Sequence, residues 1–151
     1  MDKKTLRENE NTIPEHTIFQ ITDHMQTVFT DIILHPCLMM SEKMIETIRL
    51  YEPSIRVEQI ILTEQEIETV GIYYIPTLEK LDVLTPNSRV ASDKSTLEYI
   101  EIDAAKAKGK AIFQIESNEK SYVLMHLDLV ESLLRRKVIG IGLKEVDIKG
   151  G

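Results

Sequence analysis

The sequence states one hydrophobic phrase twice. Residues 38–62 read LMMSEKMIETIRLYEPSIRVEQIIL, and residues 124–148 read LMHLDLVESLLRRKVIGIGLKEVDI. A constant shift of 86 positions sets Leu38 on Leu124, Met39 on Met125, Met44 on Val130 and Ile48 on Leu134. The same frame then sets Ile55 on Ile141, Val57 on Leu143, Ile60 on Val146 and Leu62 on Ile148, with Arg49 falling on Arg135. Helix-spaced and strand-spaced portions repeat together, so the chain is constrained to two similar strand–helix–strand units. Two copies do not make a solenoid, which needs several stacked repeats.

Each copy has its own punctuation. In the first, Ser41 is a good N-cap, and Met44, Ile45, Ile48 and Tyr51 follow at helical spacing. Glu52-Pro53 stops that helix, because the residue before a proline is pushed out of the α region. Ile55 and Val57 then alternate with Arg56 and Glu58 ahead of the run Ile60-Ile61-Leu62, a strand pattern. In the second copy, Asp128 and Glu131 have capping-box spacing, and Leu129, Val130, Leu133 and Leu134 form a buried stripe. Arg135, Arg136 and Lys137 lie where the helix dipole favours cations, and Gly140 is the expected terminator. Ile141, Leu143, Val146 and Ile148 make a strand whose single break in alternation predicts a bulge.

Further strands are expected at residues 17–21, 71–75, 97–102, 111–116 and 122–125. The turn-rich PNSRVASDKS, residues 86–95, reads as loop. Residues 23–34 place Met25, Val28, Phe29, Ile32 and Ile33 at helical spacing, and a helix is expected there. The whole is an α+β chain with a mostly antiparallel or mixed sheet and two or three packed helices. At 151 residues it has the size of one ordinary domain, assigned to residues 13–151. Residues 1–12 begin MDKKTLRENEN and have too little apolar content to pack, so a flexible tail is expected.

A 42% hydrophobic and 28% charged composition is that of a soluble globular protein. No stretch approaches the roughly 18 apolar residues of a membrane span, and no signal-peptide core is visible, so the expected address is the cytoplasm. The net charge of −7 argues against nucleic-acid or anionic-membrane partners, which call for clustered lysine and arginine. An acidic surface suits a basic protein partner or plain solubility.

Chemistry is hard to find. Gly140-Ile141-Gly142 lies inside a strand pattern without the helix that a dinucleotide fingerprint requires, and Ala107 to Lys110 lacks the remainder of a phosphate loop. His35 and Cys37 lack a second ligand pair for zinc, with His24 and His126 distant in sequence. A lone cysteine is more often a small hydrophobe than a site. Ser121, His126 and Asp128 supply the residue types of a catalytic triad without a nucleophile elbow. No cofactor, metal or catalytic residue is assigned. Met39 and Met40 read as core filler, and of the adjacent Tyr73 and Tyr74 at least one belongs in the core. Tyr99 is a candidate contact anchor.

Acidic residues carry more information. From Glu52 through Asp82 seven carboxylates (Glu52, Glu58, Glu64, Glu66, Glu68, Glu79, Asp82) face only Arg56 and Lys80, a net −5 of the total −7. Glu64, Glu66 and Glu68 alternate, so an extended backbone presents them on one side. The bland reading is a solvated, charge-protected edge. The sharper one makes Glu64, Glu66, Glu68, Glu79 and Asp82 a contact surface that speeds encounter with a basic partner.

Four pieces in order, LMMSEKMIETIRLYEPSIRVEQIIL, GIYYIPTLEKLDVLTPNS, KAIFQIES and YVLMHLDLVESLLRRKVIGIGLKEVDI, resemble bacterial polymorphic-toxin immunity proteins of the immunity 11 type. They span residues 38–148, while residues 14–30 depart from the family pattern. The resemblance implies a non-enzymatic protein that binds and neutralises one cognate toxin, and it carries over no catalytic or metal residue. A second reading is a small-molecule sensor or regulatory subunit with a pocket between the duplicated units, and an enzyme is the third. Open sheet edges also allow a homodimer.

Overall fold

The computed structural model describes residues 18–22, 30–35, 37–64 and 69–150, with the backbone alone at 18–22, 63–64 and 69–70. The expected tail, residues 23–29 of the expected helix, and His24, Glu66 and Glu68 lie outside the described residues. In chain order the elements are β1 (Ile18–Thr22), β2 (Ile32–Ile33), β3 (Met39–Met40), α1 (Glu42–Arg49), β4 (Arg56–Glu64), β5 (Thr69–Thr77), β6 (Arg89–Val90) and β7 (Leu97–Tyr99). They continue with β8 (Glu101–Asp103), α2 (Ala104–Ala107), β9 (Ile112–Ser117), β10 (Lys120–His126), α3 (Leu127–Arg135) and β11 (Gly142–Lys149). The architecture is α+β. A five-stranded sheet runs β8-β11-β1-β10-β9, a four-stranded sheet runs β2-β3-β5-β4, and β6 pairs with β7. Ile32 and Ile33 therefore form a strand where helical spacing suggested a helix, because their β-branched side chains pair against Met39 and Met40. The expected loop at 86–95 contains β6.

Local chemistry sets both long helices. Ser41 is extended, and its Oγ accepts from the Met44 amide at 3.3 Å. That cap starts a helix whose Met44, Ile45, Thr47 and Ile48 are buried. At α3 the cap is not Asp128. Strand β10 stays extended through His126, whose Nδ1 accepts from the Asp128 amide at 3.1 Å, so the helix begins one residue earlier, at Leu127. Leu127 is buried in the core, while the Asp128 side chain is 66% exposed in the first turn. The expected capping box is thereby overturned. Nor is Gly140 the immediate terminator: Lys137 itself takes the left-handed backbone, at φ 58°.

The two units share one topology. Strand β5 is antiparallel to both β3 and β4, and β1 is antiparallel to both β10 and β11. Tyr74 lies between Met40 and Gln59 in register, and Phe19 lies between Met125 and Glu145. Each unit thus reads hairpin, helix, strand, middle strand. The first takes these in order as β2, β3, α1, β4, β5. The second takes β9, β10, α3, β11 and borrows its middle strand from the front of the chain. The constant shift of 86 does not survive. The caps Ser41 and His126, the strand residues Met40 and Met125, and the buried helix sets all correspond at 85. Only past the helices, where Val57 matches Leu143, does 86 hold. One residue is inserted in the turn after α3.

The five-stranded sheet buries apolar side chains on both faces. Ile112, Val123, Met125 and Leu143 join the core that includes α1 and α3. Phe113, Ile115, Leu124 and Val146 join a second core with Val83, Ile100, Ile102 and Ala107. This explains the break of alternation in β11. Its register with β1 is unbroken from Gly142 to Val146, so no bulge is present there; Leu143 serves one core and Val146 and Ile148 the other.

A strap, residues 79–85, crosses under the second core. At its start the Gln114 amide donates to Glu79 O (2.9 Å) and the Leu81 amide to Gln114 O (3.0 Å), closing the outer edge of β9. Farther along, the Thr85 amide donates to Glu101 O (2.9 Å) and the Asp103 amide to Val83 O (2.8 Å), closing β8.

Candidate functional site

The acidic residues divide between two places. Glu64 ends β4 at the tip of the β4–β5 hairpin, opposite Thr69. Glu79 follows shortly after Thr77, which pairs with Arg56 at the hairpin's base. Eight residue steps separate base from tip, about 26 Å of extended strand. Of the expected surface of Glu64, Glu66, Glu68, Glu79 and Asp82, Glu64 therefore stands a strand's length from Glu79 and Asp82, and Glu66 and Glu68 lie outside the described residues. Glu79 is already engaged: Lys110 Nζ lies 2.6 Å from its carboxylate, and that carboxylate holds the Lys110 ammonium above its ordinary pKa. Asp82 is exposed on the strap. Lys80 and Glu116 form a similar surface pair at 2.6 Å, with Lys80 drawing the Glu116 carboxyl below its usual range.

The hairpin carries a feature that the charge pattern did not reveal. Ile61 and Ile72 are direct cross-strand partners, and they are 64% and 51% exposed. Strand alternation puts them on the same face as Val57 and Tyr74, which pack against the first core. The face that is core-bound at the base thus runs outward as an uncovered apolar pair toward the far end of the hairpin. The signal was present in Ile60-Ile61-Leu62: three consecutive apolar residues on a strand must place apolar groups on both faces, and only one face can meet a core at that distance from it.

A second polar cluster surrounds Tyr99 at the end of β7, where the β6–β7 ribbon meets β11. Its hydroxyl donates to Asp147 Oδ2 at 2.7 Å, and Arg89 stands 5.2 Å from the ring centroid. Nearby, Glu101 Oε1 accepts from Thr85 Oγ1 (2.6 Å) and Asn87 Nδ2 (3.0 Å). The Asp147 bond, with burial and the neighbouring carboxylates, pushes the Tyr99 phenol up to about 12. Bonds from Thr85 and Asn87 hold the Glu101 carboxyl below its ordinary value. A phenol kept protonated so firmly is a poor base at neutral pH. The adjoining depression, lined by Glu98, Tyr99, Ile100 and Lys144 to Asp147, encloses about 130 Å³. Small-molecule pockets usually hold ~300–1,000 Å³. Between the duplicated units lies packed core, with Met44, Ile48, Leu129 and Leu133 wholly buried.

The remaining candidates scatter. Ser121 and His126 stand five residues apart along β10, about 17 Å, and on opposite faces, so they do not form a relay with Asp128. His126 is occupied as the cap of α3. His35 and Cys37 are exposed, and among the described residues no three His, Cys, Asp or Glu side chains gather as a metal site. Met39 and Met40 are buried at 4% and 0% exposure, as core filler should be. Tyr73 is buried and donates its hydroxyl to Thr30 O, while Tyr74 packs at the margin of the first core. Among the described residues no helix is long and apolar enough to cross a membrane. No protein-family model, curated protein or solved structure matches this chain.

Proposed function

We propose that the protein is a non-enzymatic cytoplasmic immunity protein that binds and neutralises a cognate bacterial toxin, with the β4–β5 hairpin as its principal contact. The observation that carries this reading is the exposed Ile61–Ile72 pair on the β4–β5 hairpin. Hot spots of protein interfaces are apolar anchors ringed by polar groups, and a monomeric surface gains little from two adjacent uncovered isoleucines. Glu64 ends β4, and Glu66 and Glu68 follow it closely in sequence, so this stretch of the chain is rich in negative charge. A toxin that acts on nucleic acid needs a basic surface, so an acidic inhibitor meets it faster and masks the region that holds its substrate. The ordered resemblance to immunity proteins of the immunity 11 type supports the same reading.

Co-expression with the toxin-like product of an adjacent gene tests it. The expected result is restored growth and a complex that co-purifies. Ile61→Asp with Ile72→Asp should abolish protection while leaving the far-ultraviolet circular dichroism unchanged. Reversing Glu64, Glu66 and Glu68 to lysine should slow association at low salt. Continued killing with no complex would sink the reading.

A further inference from the structure

The described sheet edges differ sharply in how they are finished. The strap closes β9 and β8, and β2 is only two residues long, with the Asp31 amide beside it donating to Ile139 O at 2.9 Å. Strand β4 is the exception: nine residues, at the end of its sheet, without proline, glycine or lysine. Such an edge presents a row of unpaired amides and carbonyls as a template for another strand. The duplication makes the point within one molecule. The strand corresponding to β4 in the second unit is β11, and its outer edge is occupied by β8, paired at Asp147–Glu101, Ile148–Ile102 and Lys149–Asp103. The same position in the first unit has no described strand against it.

We infer that the β4 edge pairs with β4 of a second copy of this chain, antiparallel about Ile60, so that the two four-stranded sheets join into one. A twofold axis perpendicular to the sheet requires one residue to face itself, and the sequence selects which. Centring on Ile60 pairs all nine residues of RVEQIILTE and sets Arg56 of each copy opposite Glu64 of the other. Centring on Ile61 sets Glu58 opposite Glu64, and centring on Glu58 sets that carboxylate against itself. A parallel pairing about a twofold axis stacks each charge on its own copy. Opposite charges facing across a sheet stabilise the pair and like charges oppose it, so the Ile60 register is favoured. It joins the strand edges and leaves the faces of both hairpins open, with Ile61 and Ile72 of each copy on one side. The inference is independent of the toxin-binding reading.

Sedimentation velocity of the full chain, followed across micromolar concentrations, tests this directly. A concentration-dependent dimer is expected. Arg56→Glu should weaken it on the order of tenfold by placing glutamate opposite glutamate at both ends, and adding Glu64→Arg should restore it. Register is read by oxidative cross-linking in a Cys37→Ser background, since Cys37 is exposed. Ile60→Cys should link to itself, because directly opposed residues lie ~4.5–5.5 Å apart between Cα atoms, within disulfide reach. Gln59→Cys should not, being offset by two residues from its own copy. A chain that sediments as a monomer throughout, a dimer indifferent to Arg56→Glu, or cross-linking through Gln59→Cys but not Ile60→Cys would each overturn the inference.

Discussion

Asp31 and Ile139, 108 positions apart, are tied by two hydrogen bonds: the Asp31 amide donates to Ile139 O at 2.9 Å, and the Ile139 amide donates to Asp31 Oδ2 at 2.6 Å. The other carboxylate oxygen accepts from Ser41 Oγ at 2.7 Å, and Asp31 O accepts from the Ser41 amide at 2.7 Å. One carboxylate therefore joins the cap of α1 to the turn between α3 and β11, fastening one unit to the other. Asp31→Ala should cost about 2 kcal/mol, because hydrogen bonds to a charged group are worth ~1.5–3 kcal/mol and the site is only partly buried. Ser41→Ala should cost about 1 kcal/mol through its cap. Urea unfolding of both singles and the double variant should give a loss smaller than the sum, since the two share a bond. Strict additivity would remove the coupling.

Gly140 and Gly109 have nearly equal backbones, φ +82° and +80°, in different surroundings. A Cβ at Gly140 would stand 2.5 Å from Thr30 Cβ, while at Gly109 nothing lies within 4 Å. Gly109→Ala should therefore cost only the left-handed strain, about 1–2 kcal/mol. Gly140→Ala adds a clash with a buried threonine and should cost more, by about 1–3 kcal/mol from overpacking. Equal unfolding midpoints for the two variants would show that Thr30 yields freely.

Much of this architecture was legible, and the failures share a physical origin. Ser41 could be read as a cap because a hydroxyl three residues before the Met44 amide is the common solution. His126 uses an imidazole nitrogen for the same purpose, and Asp128 offered a more familiar partner. The one-residue slip between shifts of 85 and 86 follows from the same error. Apolar runs such as Leu38-Met39-Met40 accept either frame, and only the cap decides. Leu143 and Val146 misled because alternation presumes one buried face, whereas this sheet has two. Glu64 and Glu79 belong to one acidic stretch of sequence yet stand apart in space, since strands of nine residues separate the tip of the hairpin from its base.

The chain is locally suboptimal at two positions. Lys137 ends α3 at φ 58°, and Asn118-Glu119 turns the β9–β10 hairpin with φ 51° and 65°. Both Lys137 and Glu119 carry a Cβ in a region that glycine enters without steric cost. Lys137→Gly and Glu119→Gly should each stabilise the fold by up to about 1 kcal/mol. Thermal melts raised in both variants would agree, while a fall at either site would indicate that its side chain contributes more than its strain costs.

Tyr99 gives the alkaline limb of stability a definite sign. The folded phenol holds its proton up to about 12, against roughly 10 when unfolded, so the folded state binds more protons between those values. The contribution is full below pH 10 and fades as pH rises through 12. Glu101 works in reverse: its folded carboxyl is depressed by Thr85 and Asn87, so its contribution holds above the usual carboxylate range and is lost as pH falls below it. In a tyrosinate absorbance titration, Asp147→Asn should bring the Tyr99 transition back toward 10, and Tyr99→Phe should remove it. Identical curves for wild type and Asp147→Asn would contradict the assignment.

The borrowed middle strand yields the strongest test of the duplication. In the first unit β5 follows β4 directly in the chain, with Glu64 opposite Thr69. In the second, β1 lies against β11 with Ile18 opposite Val146, three residues before Lys149, so the end of β11 and the start of β1 are neighbours. Joining residues 14–22 behind Gly151 and beginning the chain at Asp23 would give both units the same order. Sheet contacts would be retained, and the new β11–β1 connection would close a shorter loop than the present one, which favours folding by loop entropy. The permuted chain should show the parent's circular dichroism, unfold cooperatively, and fold faster because β1 and β11 become local partners. If it fails to fold, the two units are not interchangeable in connection.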